Sequence, residues 1–119
     1  MTNHTNHTNH INKTAIITGA SRGIGAAIAK KLASCGYNLS LCCCNSSDRL
    51  KALADELHCA YGIEVLCYTG NVGDFFFAKD MVTNTISHFG HIDVLINNDK
   101  ALGTAFDYLE YLGTSDMTP

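Results

Sequence analysis

Positive charge is scarce in this 119-residue sequence, and the shortage excludes several classes of function. Eight lysines and arginines stand against eleven aspartates and glutamates, and the formal net charge is -3 at pH 7. Because nucleic-acid-binding proteins carry a basic excess, we expect no nucleic-acid partner. No apolar run approaches the ~20 residues that span a bilayer, and the N-terminus lacks the basic and apolar regions of a signal peptide. We therefore expect no membrane partner and a cytoplasmic location.

The sequence also lacks a Cys-x-x-Cys pair, although it contains six cysteines. Without that spacing or a secretory signal, neither a zinc site nor a disulfide framework is indicated. The consecutive residues Cys42, Cys43 and Cys44 cannot converge on one ion, because neighbouring strand residues point to opposite faces. We interpret them as small buried hydrophobes with one exposed thiol, and we predict no metal site.

What the sequence does contain is a glycine-rich turn at residues 18–25, between a short apolar run and a segment with helical periodicity. A turn of this kind lets backbone N–H groups approach a pyrophosphate, and the helix N-terminus adds partial positive charge. Gly19 suits the tight turn, Gly23 a close approach of the backbone, and Gly25 close packing of helix on strand. The segment predicts a dinucleotide site, with an ordinary turn between strand and helix as the alternative.

Strand and helix patterns alternate from residue 13 to residue 98. β-branched and apolar runs predict strands at 14–18, 38–43, 64–68 and 92–96, and helical spacing follows each of the first three. Polar N-cap residues stand at 46–48 and at Asp74, before a helix predicted over 75–89, and glycines mark the helix ends at Gly36, Gly62 and Gly90. The alternation predicts an α/β, Rossmann-like three-layer half-domain with a parallel sheet of about four strands in the order 3-2-1-4.

Both ends of the sequence depart from this pattern. The N-terminal segment repeats Thr-Asn-His three times, and a polar low-complexity segment cannot form a core. The C-terminal segment has no clean periodicity and ends on Thr118-Pro119, a pair typical of a helix start. We therefore predict a disordered tail over 1–12, a dinucleotide-binding half-domain over 13–98 and a divergent tail over 99–119 that ends before a next helix.

The spacing Thr-Gly-x-x-x-Gly-x-Gly resembles the signature of the classical short-chain dehydrogenases/reductases, the family that includes the 3-oxoacyl-acyl-carrier-protein reductases. Asn71-Val72 resembles the family's Asp-Val segment over the adenine, although Asn71 also suits a turn that bonds its own backbone. Asn97-Asn98 resembles the start of the Asn-Asn-Ala-Gly motif beside the cofactor ribose, but Asp99-Lys100 replaces Ala-Gly. The resemblance implies these cofactor-binding residues: Gly19, Ser21, Arg22, Gly23, Ile24, Gly25, Asn71, Val72 and Asn97.

The resemblance also bears on the choice of dinucleotide. NAD-binding relatives place an acid about 20 residues beyond the glycines, where this sequence has Cys42, Cys43, Cys44 and Asn45. Arg22 stands where NADP-dependent relatives contact the 2′-phosphate, and Arg49 is a second candidate. We expect NADP(H) to be favoured over NAD(H), with a solvated surface arginine as the alternative interpretation of Arg22.

The family's catalytic group, a Tyr-x-x-x-Lys pair with a serine and an asparagine, has no counterpart among these residues. None of the five tyrosines is followed four residues later by lysine, and no asparagine follows Asn98. The histidines are not assigned to catalysis, because His58 and His88 stand near predicted helix ends, where imidazole can meet the last carbonyls. We assign no catalytic residue.

Three interpretations are left open by the sequence. The favoured one is the NAD(P)(H)-binding portion of a short-chain dehydrogenase/reductase that acts on carbonyl or hydroxyl groups, with the catalytic half absent. The second is a non-catalytic NADP(H)-binding module. The third is a truncated product with no independent function, in which the fourth strand leaves an uncovered sheet edge open to homo-oligomers or aggregation.

Overall fold

A computed structural model of the chain describes residues 12–98, which form a parallel sheet of four strands with helices on both faces. Its elements are β1 (Thr14–Ile17), α1 (Gly23–Ser34), β2 (Asn38–Cys43), α2 (Ser47–Tyr61), β3 (Val65–Thr69), α3 (Phe75–Phe89) and β4 (Val94–Ile96). The order β3-β2-β1-β4 confirms the predicted Rossmann-like order 3-2-1-4. The tails predicted over 1–12 and 99–119 lie outside the described residues, apart from Asn12.

Strand β1 lies in the middle of the sheet and is buried along its whole length. It pairs in parallel with β2 on one side, where Ile17 faces Leu41, and with β4 on the other, where Ile17 faces Ile96. A short β-branched run suits a parallel strand that is covered on both faces. The segment that leaves β1 therefore emerges between the ends of two neighbouring strands.

The two faces of the sheet carry separate cores. Helices α1 and α2 cover one face, where Ala29, Ala33 and Leu50 pack against residues of β1 and β2. Helix α3 covers the other face and packs Met81 and Val82 against the sheet. The helices thus form the two outer layers, as expected for right-handed βαβ units. No helix in the described part of the chain is both long and apolar enough to cross a membrane.

The three glycines predicted at helix ends all have positive φ. At the end of α1, Gly36 N–H donates to Ala33 O and Tyr37 N–H donates to Leu32 O, the paired bonds of a Schellman motif. Gly62 and Gly90 end α2 and α3 with φ of 72° and 93°. These positions confirm the C-terminal ends that the sequence predicts for the three helices.

The predicted bounds of three strands were wrong by one or two residues. β1 ends at Ile17 rather than at residue 18, and β3 covers Val65–Thr69 rather than 64–68. β4 begins at Val94 rather than at residue 92. Just before it, the carboxylate of Asp93 accepts from Thr14 N–H at 2.8 Å, so a side chain occupies a donor that the strand ladder would otherwise use.

Candidate functional site

The glycine turn lies at the carboxyl edge of the sheet, where the chain leaves β1 between β2 and β4. In open α/β sheets, ligands bind in the crevice beside such a reversal of strand order. Gly19 and Gly23 have φ of 61° and 62°, in the left-handed region that favours glycine. The turn itself is fixed to the sheet, because Ala20 N–H donates to Cys42 O at 3.0 Å.

Thr18 ties this turn to the end of β4. Its N–H donates to Ile96 O at 3.0 Å, and its hydroxyl donates to Asn97 Oδ1 at 3.1 Å. The same hydroxyl oxygen accepts from Asn98 N–H at 2.8 Å. The Asn98 amide then donates to Gly19 O at 3.3 Å, so the predicted site residues at 19 and 97 lie on one hydrogen-bonded frame.

Gly25 lies where the first turn of α1 crosses over the glycine turn. A Cβ built at this position would overlap the carbonyl oxygen of Gly19 and approach the Gly19 carbonyl carbon to 2.9 Å. No Cβ contact arises at Gly23, where nothing lies within 4 Å. The close crossing brings the N-terminus of α1 against the turn, with Gly23 facing open space.

The N-terminus of α1 has no side-chain cap. Its N-cap residue is Arg22, whose backbone is extended and whose side chain makes no capping hydrogen bond. The first turn carries no acidic residue either. The backbone N–H groups that begin a helix have no partner within it, and together with the helix dipole they favour an anion. Arg22 is exposed, and Ile24 is 70% exposed beside it.

The segment predicted to lie over the adenine forms a tight turn before α3. Asn71 Oδ1 accepts from Gly73 N–H at 2.8 Å, and Asn71 O accepts from Asp74 N–H at 2.9 Å. The structure thus shows the turn that was the alternative interpretation of Asn71. Val72 is buried against the core beneath α3. Asp74 caps α3 as predicted, accepting from Phe76 N–H at 2.9 Å and from Phe77 N–H at 3.4 Å.

An open groove of about 500 Å³ runs between α1 and α2 from the glycine turn. It is lined by Ser21, Arg22, Gly23, Ala26, Ala27, Lys30, Arg49, Ala52, Leu53 and Glu56. The structure therefore brings together the two arginines that the sequence proposed for a 2′-phosphate. Sequence analysis missed Lys30, although its place eight residues after Arg22 on the same helical stripe was a usable indication.

The consecutive cysteines at the end of β2 differ in solvent exposure, as expected. Cys42 and Cys43 are buried, and Cys44 is exposed at the carboxyl edge. On the neighbouring strand, burial is the main cause that raises the pKa of the Cys67 thiol, with a further contribution from Cys43. A raised pKa keeps a thiol protonated and unreactive. Among residues 12–98, no cluster of histidine, cysteine and acidic side chains could hold a metal ion.

Of the described residues, His58, His88 and His91 lie at the amino edge of the sheet, away from the glycine turn. His58 Nδ1 lies 2.8 Å from Ile63 O, beyond the end of α2. The expectation that His88 meets the last carbonyls of its helix was wrong, because its Nε2 pairs with Glu64 Oε1 at 2.7 Å. The carboxylate at the start of β3 offers a charged partner that a helix carbonyl does not.

Comparisons with known proteins agree on one protein family. The family model for short chain dehydrogenases matches residues 13–105. A 3-oxoacyl-acyl-carrier-protein reductase of Staphylococcus epidermidis is 42% identical over 87 residues, which are 73% of this chain and 35% of that protein. The chain thus spans about a third of the length of this curated relative.

Two solved structures show the same fold with a bound dinucleotide. One is an alcohol dehydrogenase from Thermococcus sibiricus complexed with 5-hydroxy-NADP, with a TM-score of 0.65 and 42% identity over 70% of this chain and 35% of that one. The other is a short chain dehydrogenase from Burkholderia cenocepacia in complex with NADP, with a TM-score of 0.71 and 34% identity over 75% of this chain and 36% of that one.

Proposed function

The chain belongs to the short-chain dehydrogenase family, and we propose that it forms the NADP(H)-binding portion of an oxidoreductase that acts on carbonyl or hydroxyl groups. The observation that carries the proposal is the uncapped N-terminus of α1, which follows a glycine turn at the reversal point of the sheet. Such a helix start binds the pyrophosphate of a dinucleotide through backbone N–H groups.

We assign each part of the cofactor to different residues of the site. The backbone from Gly19 to Gly25 holds the pyrophosphate, with Ser21 and Ile24 facing it from the turn and from α1. Asn71 and Val72 flank the adenine, and Asn97 orders the ribose side through its bond to Thr18. A bound nicotinamide would supply or accept the hydride, while the residues named here would hold the adenine and pyrophosphate parts of the dinucleotide.

The preference for NADP(H) rests on charge. Arg22 and Arg49 line one groove beside the turn, and neither is paired with a carboxylate among the described residues. The end of β2 presents Cys44 and Asn45, where an acid would hold the free ribose hydroxyls of NAD(H). Guanidinium groups match a phosphate monoester in charge and geometry. The relatives from Thermococcus and Burkholderia were solved with NADP-type ligands, which agrees with this assignment.

We propose that these 119 residues bind the cofactor without reducing a substrate. The Tyr-x-x-x-Lys pair that would move a proton to or from the carbonyl oxygen is missing from the sequence. A free-standing NADP(H)-binding module has the same site, so the two functions differ in whether further residues complete the enzyme.

Titration of the purified chain with NADPH and NADH, followed by cofactor fluorescence, tests the proposal. We expect saturable binding with NADPH favoured about tenfold, since one charged hydrogen-bonded contact contributes about 1.5 kcal/mol. Arg22→Ala should bring the two dissociation constants close together. An unchanged ratio would refute the assignment of Arg22, and turnover of NADPH with a generic ketone would refute the absence of catalysis.

A second proposal concerns self-association. In the described part of the chain, β4 pairs only with β1, so its other edge presents unpaired backbone groups. Exposed edges of this kind pair with other strands. We propose that β4 pairs with a further strand. In the purified chain, this strand comes from a second copy of the same chain. Analytical ultracentrifugation should then show dimers or larger species for the wild type, and Leu95→Pro, which removes an N–H from β4, should reduce association; a monomeric wild type would overturn the proposal.

A further inference from the structure

The groove between α1 and α2 extends beyond the part that Arg22 and Arg49 account for. Its walls continue along α1 to Lys30 and along α2 to Glu56. Between these charged residues lie the small side chains of Ala26, Ala27 and Ala52. Because the side chains between the charged residues are small, the groove stays open along this stretch.

Three cations and one carboxylate line this groove. The ion pairs among residues 12–98 involve histidines only, so Arg22, Lys30 and Arg49 have no carboxylate partner there. A cluster of unpaired cations is costly unless water or an anion screens it. The charge of the groove therefore suits a ligand that brings a concentrated negative charge.

Lys30 lines the same groove as the two arginines, farther from the glycine turn. It lies four residues after Ala26 and eight after Arg22, so the three positions share one stripe of α1. Side chains on a helix generally lean toward its N-terminus, and for Lys30 this direction is toward Ala26 and the glycine turn. A lysine stem spans several bonds, so in that orientation the ammonium lies nearer to the glycine turn than the Cα does.

We propose that Lys30 is a specificity-determining residue, which acts with Arg22 and Arg49 on the phosphate monoester that distinguishes NADP(H) from NAD(H). The inference rests on the proposed function and adds a residue to it. Lys30 contributes a long-range charge at the far wall of the groove, whereas the arginines contribute direct hydrogen bonds. Its effect should therefore be smaller than that of Arg22 and should fall as salt is raised.

The test compares Lys30→Gln with Lys31→Gln in the 119-residue chain. Both lysines are exposed on α1 and both variants lose one positive charge, but Lys31 does not line the groove. In low salt we expect Lys30→Gln to weaken NADPH binding about threefold to fivefold, with NADH unchanged, as for a charge acting across partly screened solvent. Lys31→Gln should leave both constants unchanged, and Lys30→Arg should restore NADPH binding.

Competition between NADPH and smaller phosphate compounds identifies the chemical group that the groove recognises. Adenosine 2′,5′-bisphosphate should displace NADPH from the wild type and do so less effectively from Lys30→Gln, whereas adenosine 5′-phosphate should compete equally with both. Inorganic phosphate that competes as well as the bisphosphate would show a free phosphate site and overturn the proposal.

The outcomes separate this inference from the function on which it rests. If Arg22→Ala lowers the preference for NADPH while Lys30→Gln does not, the role of Lys30 is wrong and the proposed function stands. Equal losses in Lys30→Gln and Lys31→Gln would reduce the effect to net charge and also overturn it. If the wild type binds neither dinucleotide, the proposed function fails and the inference fails with it.

Discussion

Helices α1 and α3 both begin at the carboxyl edge of the sheet, but their first turns are built in opposite ways. The N-cap of α3 is Asp74, whose carboxylate accepts from Phe76 N–H and Phe77 N–H. The N-cap of α1 is Arg22, which makes no side-chain cap. Asn71 closes a further turn before α3, whereas the turn before α1 relies on glycines with positive φ.

The difference separates a helix start that the chain caps with its own carboxylate from one that is open to an external anion. At α3, a carboxylate of the chain satisfies the first N–H groups, and negative charge already occupies the place that an external anion would take. At α1, no side chain of the described residues competes for that place, and a cation stands beside it. A helix N-terminus therefore indicates a phosphate site only where the chain itself leaves it uncapped.

The largest expected effect on stability comes from glycine-to-alanine substitutions near the starts of α1 and α3. Gly25→Ala places a Cβ against the backbone of Gly19, which cannot move without displacing α1, and we expect a loss of about 3 kcal/mol in the free energy of unfolding. Gly70→Ala, before α3, meets the Phe77 ring at 2.5 Å. The ring can rotate, so we expect a loss of about 1 kcal/mol or less.

Urea denaturation followed by circular dichroism measures both glycine variants. Gly23→Ala serves as a control inside the turn, because its Cβ meets nothing and only the positive φ is unfavourable, at about 1–2 kcal/mol. Equal losses for Gly25→Ala and Gly70→Ala would contradict the rigid contact that we assign to α1.

Removal of the cap at α3 should have the next largest effect. Asp74→Ala leaves two N–H groups without their carboxylate, and we expect the free energy of unfolding to fall by about 1 kcal/mol. Dinucleotide affinity should change little, since the cap serves the helix. Asp74→Asn keeps an oxygen acceptor and should recover most of the loss in the same denaturation experiment. A large loss of NADPH affinity would instead place Asp74 at the cofactor.

A cap introduced at α1 should act in the opposite direction on stability. Arg22 has extended backbone, so Arg22→Asp can accept from the first turn without strain. We expect a gain of about 0.5–1 kcal/mol in the free energy of unfolding together with loss of NADPH binding, because a carboxylate then occupies the position that we propose for the phosphate. Retention of NADPH binding in this variant would show that the phosphates bind elsewhere.

Thiol labelling should give the smallest perturbation, because it needs no substitution. Cys44 and Cys59 are both exposed, but Cys44 follows β2 at the carboxyl edge and Cys59 lies near the end of α2. We expect NADPH to slow the alkylation of Cys44 severalfold and to leave Cys59 unaffected. Cys67, with its pKa raised by burial, should react slowly in either case. Mass spectrometry of the labelled peptides measures the rates, and equal protection at 44 and 59 would argue against a site at this edge.

The fold was predictable from sequence because its indications are local. The apolar run of β2, the aspartate before α3 and the glycines that end the helices each act within a few residues, and their positions agree with the structure. The N-cap of α2 was predicted in place but not in contact: the Ser46 hydroxyl lies 3.5 Å from Asn45 Oδ1 and does not cap the helix. A serine hydroxyl can form a hydrogen bond with any of several neighbouring groups, and the sequence does not show which of these bonds forms.

The candidate site was predictable only in part, because some of it depends on distances between elements. The glycine turn could be found from its spacing, but the groove that joins Lys30 to Arg49 arises from the packing of α1 beside α2. The bond from Asn98 to Gly19 likewise joins residues 79 apart in sequence. Periodicity reports which face of a helix is buried, and it does not report what stands opposite an exposed lysine.

The tie between Thr18 and the end of β4 has a consequence for how the molecule acquires its shape. The donor and acceptor are separated by 80 residues, among the most distant pairings in the described chain. Contacts of such long range are made late, after the entropy of closing the intervening loop has been overcome. A nascent chain that has emerged from the ribosome only as far as α1 therefore contains the residues of the glycine turn but not the strand to which Thr18 is bonded. The tie through Thr18 is completed only when β4, the last strand of the described residues, has joined the sheet.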